Sequence, residues 1–336
     1  MSDTIYKSSL GAYMQSFLEQ RRTLGYKALD VEYGLKTIDT YLLESGFKGL
    51  YITEQVYKGW WKSTCDQLDS TRYQKASVFS RFLEYLAAMG IDCYMPRLPR
   101  KHTSGRVPYT FSEKEMKAIF KAADNLRMKE RHTSSAMISI PALIRLIYST
   151  AVRISEALEI RIGNVNFKHH VIKLEYTKNG YQRYAPINES LEAVLRQYIS
   201  YRNRLPYAEL QHPDSHLFVS SQGKALTRDT ALQYMHRILS DAGIDRKGDE
   251  EGPHLHCLRH SACVHSMVKL AREGKDLYCY LPVLSVFMGH RKVLDTENYL
   301  RLTQEMYPDL IKQDKTVTAS INGVIKRGNL AINDED

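Results

Sequence analysis

No uninterrupted apolar run in this chain approaches the roughly 20 residues that a membrane-spanning helix needs, which argues against membrane insertion. No secretory leader is expected either, since the opening "MSDTIYKSSLGAYMQ" is polar and lacks an apolar core segment. The five cysteines, Cys65, Cys93, Cys257, Cys263 and Cys279, are odd in number and scattered. A disulfide framework is therefore not expected, and the compartment reads as reducing and cytoplasmic. No Gly-rich phosphate loop, internal repeat or low-complexity tract is found, so kinase and ATPase readings have no support. What the chain does have is length and positive charge. Its 336 residues, 43% of them hydrophobic, can bury a sizeable core and suffice for two domains. Lys and Arg number 47 against 38 acids, a formal charge of +9 that favours a polyanionic partner such as nucleic acid. An anionic membrane surface would satisfy the charge equally well.

The first hundred residues read as helices. Leu10, Tyr13, Met14, Phe17 and Leu18 recur at helical spacing and lay one apolar stripe. Leu35, Ile38 and Leu42 mark a second segment, Val56, Trp60 and Trp61 a third, and Phe79, Phe82, Leu83 and Leu86 a fourth, stopped by Gly90. Stripes that need partners predict a small helical bundle over residues 1–96. Residues 97–108 then read as a linker: "MPRLPRKHTSGRVPYTF" holds three prolines and a glycine, with Arg97, Arg100, Lys101 and Arg106 and no carboxylate. Such a strap is either a solvated spacer or a set of salt-sensitive phosphate contacts.

A capping box at Ser112 to Glu115 opens the next helix, within a second domain over residues 109–336. Helical pattern runs through "SAMISIPALIRLIYSTAVRISEALEI". In "VIKLEYTKNGYQRYAPI" the period changes, and Asn179-Gly180 gives a strong hairpin signal. The expected fold is mainly α with a small antiparallel β-sheet (α+β).

Four places in the second domain concentrate chemistry. Arg153 and Glu156, three apart, read as neighbours on one helical face, an ordinary surface ion pair if taken alone. Lys178 stands beside the hairpin turn, where an ammonium can be solvated or can protonate a leaving oxygen in a groove. The stretch "HLHCLRHSACVHSM" is dense in metal-ligand types, yet Cys257 stands where a zinc-protease helix needs glutamate, and no paired CxxC exists. No metal is expected, and His256 with Arg259, one turn apart, can instead face an anion together. Finally His290 is followed nine positions later by Tyr299, with Tyr278, Tyr280 and Tyr307 as competing phenols.

The order Arg153, Lys178, His256, Arg259, His290, Tyr299 resembles the tyrosine recombinase (phage integrase) family. The resemblance runs through "TAVRISE", "TKNGYQRYAPI", "HCLRH" and "MGHRKVLDTENY", and more weakly through "YGLKTIDTYLLESG" and "VFSRFLEYLAAMG", which look like that family's core-binding domain. It selects Tyr299 by its distance after Gly-His. Departures are small: Thr150-Ala151-Val152-Arg153 stands where Thr-Gly-Leu-Arg is common, and Met288 where leucine is frequent. No separate arm-binding module is expected before the bundle.

The resemblance implies a helical core-binding domain plus a mixed catalytic domain, and strand cleavage by Tyr299 to give a 3′-phosphotyrosyl link. Arg153 and Arg259 would clamp the phosphate, where added transition-state charge rewards fixed cations. His256 would bond the phosphate and help take the phenol proton, His290 would add a hydrogen bond, and Lys178 would protonate the 5′-oxygen. Glu156 would orient the basic groups. No cofactor is implied: the arginines supply charge, and the covalent link conserves the bond energy for resealing. The implied partners are a double-stranded recombination site with inverted repeats, a homo-tetramer on two duplexes, and accessory DNA-bending or directionality factors, with nucleoid association when bound. Both domains would clamp the duplex with the basic strap crossing between, and residues Met306–Ile311 would form a helix docking on a neighbour. Integration, excision or resolution for a mobile element is the expected task. A DNA-relaxing enzyme of type IB topoisomerase kind, and a non-catalytic architectural DNA-binding protein, are the alternatives.

Overall fold

The computed structural model describes residues 6–25, 28–100, 108–127, 135–177, 180–245 and 252–307, with only the backbone described at residues 301 and 304–306. The chain divides into two compact units, Met1–Arg106 and Val107–Asp336. No helix among the described residues is long and apolar enough to cross a membrane.

Unit 1 contains α1 (Gly11–Thr23), α2 (Leu29–Glu44), α3 (Glu54–Ser63) and α4 (Asp69–Ala88). The apolar stripes converge on one core, in which Leu10, Met14, Leu18, Leu35, Ile38, Leu42, Phe79, Phe82, Leu83 and Leu86 are fully buried. In α3 the buried face is shifted by one residue from the expected stripe: Tyr57 and Trp60 are inside, while Val56 and Trp61 are half-buried. Trp60 meets Phe79 edge-on at 4.8 Å, a geometry that suits the ring quadrupoles. Close approach of α2 to α4 depends on Gly34, where a Cβ would overlap Val78. The buried Asp39 carboxylate accepts the Lys7 and Ser8 amides at 3.0 and 2.9 Å, which satisfies it and ties down the entering chain. Gly90, at φ +83°, follows α4 and ends it.

Unit 2 opens on α5 (Glu113–Asp124). Its cap is the expected box: the Ser112 hydroxyl accepts the Glu115 amide at 3.3 Å, and Glu115 Oε2 accepts the Ser112 amide at 2.7 Å. The long helical pattern that follows is broken in the structure into α6 (Ile140–Thr150) and α7 (Ile154–Leu158). Ala151 adopts the left-handed region at φ +50°, and Arg153 is extended, so the chain turns between them. Strands β1 (Val165–Asn166), β2 (Val171–Leu174) and β3 (Arg183–Pro186) form an antiparallel sheet in the order β1-β2-β3. The β2–β3 pair is the expected antiparallel hairpin, with Ile172 opposite Ala185 and Leu174 opposite Arg183. The last described pair is Leu174 with Arg183, and Gly180, at φ +77°, lies between the two strands. Lys178 and Asn179 lie outside the described residues.

Helices α8 (Glu189–Arg202), α9 (Arg228–Asp241), α10 (Cys257–Arg272), α11 (Leu277–Met288) and α12 (Val293–Met306) complete the unit. One core joins α5, α6, the sheet, α8 and α9. A second forms where α10, α11 and α12 meet, around Cys263, Met267, Leu284, Met288 and Leu302. Ala151 and Tyr299 both belong to this second core. The buried Arg202 is structural, since it donates to the Leu210, His216 and Leu217 carbonyls and cross-links the chain after α8. Of the docking segment expected at Met306–Ile311, residues 308–311 lie outside those described. All five cysteines are free.

Candidate active site

The site begins with a helix cap. Arg153 precedes α7 in extended conformation, and Glu156 folds back so that Oε2 accepts the Arg153 amide and Oε1 accepts Arg153 Nη1, both at 2.9 Å. The pair is thus a cap and its counter-ion, not two neighbours on an exposed helical face, and Glu156 is only 2% exposed. A buried carboxylate needs further partners. One arrives from β3, where Arg183 Nη2 donates to Glu156 Oε2 at 2.8 Å. Loss of water around Arg183, and then the neighbouring Arg153 charge, lower its guanidinium pKa against the pull of Glu156.

The second group comes from α10. Arg259, 2% exposed, donates Nη2 to the Met288 carbonyl at 2.5 Å and Nη1 to the Ala151 carbonyl. Arg153 Nη2 donates to the next carbonyl of the same helix end, Gly289, at 3.2 Å. The two guanidiniums therefore meet at the C-terminus of α11, where unpaired carbonyls and the helix dipole favour cations. That helix end is shaped by Gly289 at φ +64°, with the His290 amide returning to the Ser285 carbonyl at 2.9 Å. The positive φ favours glycine at 289, and a Cβ there would also displace the Arg183 guanidinium from its present place. Burial lowers the Arg259 pKa to about 10, with Arg153 adding to the effect, and the group keeps its charge at neutral pH.

Around these cations stand three imidazoles and a phenol. Tyr299, on α12, is 7% exposed, and its hydroxyl lies 2.7 Å from His260 Nδ1. The His290 ring stacks on Tyr299 with centroids 6.0 Å apart, and its Nδ1 lies 2.8 Å from the Thr296 hydroxyl. His256, accessible at the start of α10, stands edge-on to His260 with centroids 4.7 Å apart. Partial loss of water at the rings comes first, followed by the Arg259 charge for His256 and His290 and by His256 and then Arg259 for His260; His256 and His290 are held down to about 4 and His260 to about 3, so all three are neutral at pH 7. Burial likewise pushes the Tyr299 phenol above its ordinary range, with Cys263 next in effect and the arginines opposing. An open pocket of about 480 Å³ is lined by Arg153, Glu156, Arg183, His290 and Arg291 among others. Cations fixed around a pocket with a phenol beside them suit an anionic tetrahedral group and attack upon it.

The structure thus brings together Arg153, Glu156, His256, Arg259, His290 and Tyr299. Of the competing phenols, Tyr278 is exposed on α11 and Tyr307 lies beneath the Arg272 guanidinium. Arg97 and Arg100 are exposed on irregular backbone of unit 1, while Lys178, Lys101 and Arg106 lie outside the described residues. Among the described residues no group of three His, Cys, Asp or Glu side chains is arranged to hold a metal ion. Two members escaped the sequence reading. His260 follows His256 by one helical turn, a signal that was available; Arg183 gave none, because its role depends on strand register.

Comparison with known proteins follows the same line. The sequence description of the Phage integrase family matches residues 110–306. The integrase/recombinase y4rB of Sinorhizobium fredii is 28% identical over 308 residues, covering 89% of this chain and 95% of that protein. Tyrosine recombinase XerC of Bacillus subtilis is 24% identical over 286 residues, 81% of this chain and 84% of XerC. Among solved structures, the XerH site-specific recombinase bound to palindromic difH substrate shares the fold with a TM-score of 0.64 at 18% identity, covering 89% of this chain and 84% of that one. A family description spanning more than half of the sequence, over the segment that carries these side chains, establishes that this chain belongs to the phage integrase family of tyrosine recombinases.

Proposed function

We propose that the chain is a site-specific DNA recombinase in which Tyr299 cuts one strand, holds it as a 3′-phosphotyrosyl link, and releases a 5′-hydroxyl that rejoins with a partner duplex. The observation that carries this reading is the meeting of Arg153 and Arg259 on the adjacent carbonyls of Met288 and Gly289, in the cluster that holds His290 and Tyr299. A phosphodiester repels an anionic nucleophile, and charge builds on its non-bridging oxygens as the phenol attacks. Two fixed guanidiniums, Arg259 buried and Arg153 half-buried, answer both problems, and one such arginine in phosphoryl transfer is worth roughly 10³ to 10⁵ in rate. His256 and His290 add hydrogen bonds to the same oxygens. Glu156 keeps Arg153 aimed, and Lys178 supplies the proton to the leaving 5′-oxygen.

In the same reading the helical unit 1 contributes DNA affinity, with Arg97, Arg100, Lys101 and Arg106 contacting phosphates. The working assembly is a homo-tetramer on two duplexes carrying inverted repeats, helped by accessory factors, in the service of a mobile element. XerH and lambda integrase structures bound to their recombination or core sites support DNA as the partner. The test is a nicked suicide duplex. Wild-type protein is expected to form a covalent complex that resists boiling in detergent, and Tyr299→Phe is expected to form none. Rejoining at wild-type level by Tyr299→Phe would refute the assignment, and relaxation of supercoils by a monomer without a defined site would favour the relaxing enzyme.

A further inference from the structure

The phenol proton has a nearer acceptor than the histidine to which the family resemblance gives it. Tyr299 Oη lies 2.7 Å from His260 Nδ1. His256 stands one helical turn earlier on α10, edge-on to His260. Both partners of the Tyr299–His260 contact are withdrawn from water. Tyr299 is 7% exposed among Cys263, Leu302 and Met267, and His260 is half-buried. The groups facing His260 are His256, Arg259, His254 and His290 together with the phenol, so nothing nearby favours a protonated ring, and the resting imidazole is neutral. A neutral imidazole in its Nε2–H tautomer presents the Nδ1 lone pair to the hydroxyl. The contact joins α10 to α12, so packing of the second core sets its length.

We infer that His260 is a catalytic residue, the base that takes the Tyr299 proton as the phenolic oxygen attacks phosphorus. This rests on the recombinase reading above and assigns one of its steps to a residue that reading does not use. In cleavage the Oη–H bond breaks and the proton moves to His260 Nδ1. The Oη–P bond forms, the P–O5′ bond breaks, and the departing 5′-oxygen takes its proton from a different group, assigned above to Lys178. In rejoining, the incoming 5′-hydroxyl gives its proton back to the group that supplied it, assigned above to Lys178, and attacks phosphorus; the P–Oη bond breaks, and His260 returns its proton to the departing phenolate. The scissile phosphate itself helps, because its negative charge among Arg153, Arg259 and His290 offsets the cations that make His260 a weak base at rest. His256 is left free to bond the phosphate.

The experiment uses the full chain and a nicked suicide duplex bearing the sequence that the wild-type protein enriches from a random pool. The readout is the rate of covalent complex formation. His260→Asn keeps a polar atom near the Nδ1 position and removes the basicity. It is expected to slow the reaction roughly 10²-fold, the lower range for a general base. Replacing Tyr299 by 3,5-difluorotyrosine, a more acidic phenol, in the His260→Asn background should recover about tenfold, because a weaker O–H bond needs less help. A mere loss of positioning would not respond to phenol acidity. A rate for His260→Asn within about threefold of wild type, or a defect untouched by the fluorinated tyrosine, would overturn the inference. His260→Gln serves the same comparison if the Asn variant fails to fold. Absence of any covalent complex with wild-type protein would instead sink the recombinase reading.

Discussion

At the scale of single residues, the cluster turns on one buried carboxylate. Glu156 accepts two bonds from Arg153 and one from Arg183, and it has no access to water that could replace them. Removing one partner from such an arrangement costs more than forming it ever gained, because the remaining charge stays buried. Glu156→Gln keeps the shape but leaves two guanidiniums with a neutral amide. We expect it to lower the unfolding free energy by about 3 kcal/mol in urea melts, and to slow cleavage far more than it weakens DNA binding. An unchanged melt would show that Arg183 and Arg153 find other anions. Arg259 is held differently, through the backbone carbonyls of Ala151 and Met288, and so depends on the chain path at those two residues.

At the scale of elements, that chain path is the weak point and the part least visible beforehand. The stripes of α1, α2 and α4 could be read directly, because burial of one face imposes a period that composition alone reveals. The break between α6 and α7 could not. Alanine is a strong helix former, and only the surrounding packing puts Ala151 at φ +50° to aim its carbonyl at Arg259. The hairpin of β2 and β3 could be read from Asn-Gly, although that dipeptide marks a turn without saying how far pairing extends. Arg153, His256, Arg259, His290 and Tyr299 were legible as an ordered set of residue types. The contact between His260 and Tyr299 was not, because it crosses from α10 to α12. Ala151→Val, a branched side chain in the left-handed region and in a full core, should cost about 2 to 3 kcal/mol and show as a lower melting temperature. A melt equal to wild type would mean that the α6–α7 turn can relax without cost.

At the scale of the whole molecule, the three depressed imidazoles tie stability to acidity. In the unfolded chain each binds a proton near its ordinary value of about 6.5, whereas folded His256 and His290 resist until about 4 and His260 until about 3. Between those limits the unfolded state holds more protons, so stability is retained above about pH 6.5 and falls as pH drops through the window. The half-buried His260 and His290 each add at most about 1.4 kcal/mol per pH unit, and the more exposed His256 adds less. Melting temperatures measured from pH 7 to pH 4.5 should fall steadily, and replacement of His260 by Asn should flatten that slope. A slope that is flat already in the wild type would contradict the burial of these rings.

Gly289 and Arg183 occupy what amounts to a single shared volume, although one closes a helix and the other opens a strand. Their tolerated substitutions are therefore coupled. In a library randomised at both codons and selected for recombination, clones that retain arginine at 183 should be enriched in glycine at 289, and larger residues at 289 should appear more often with a shortened one at 183. Independent assortment of the two positions would show that the contact between them is not a constraint on inheritance.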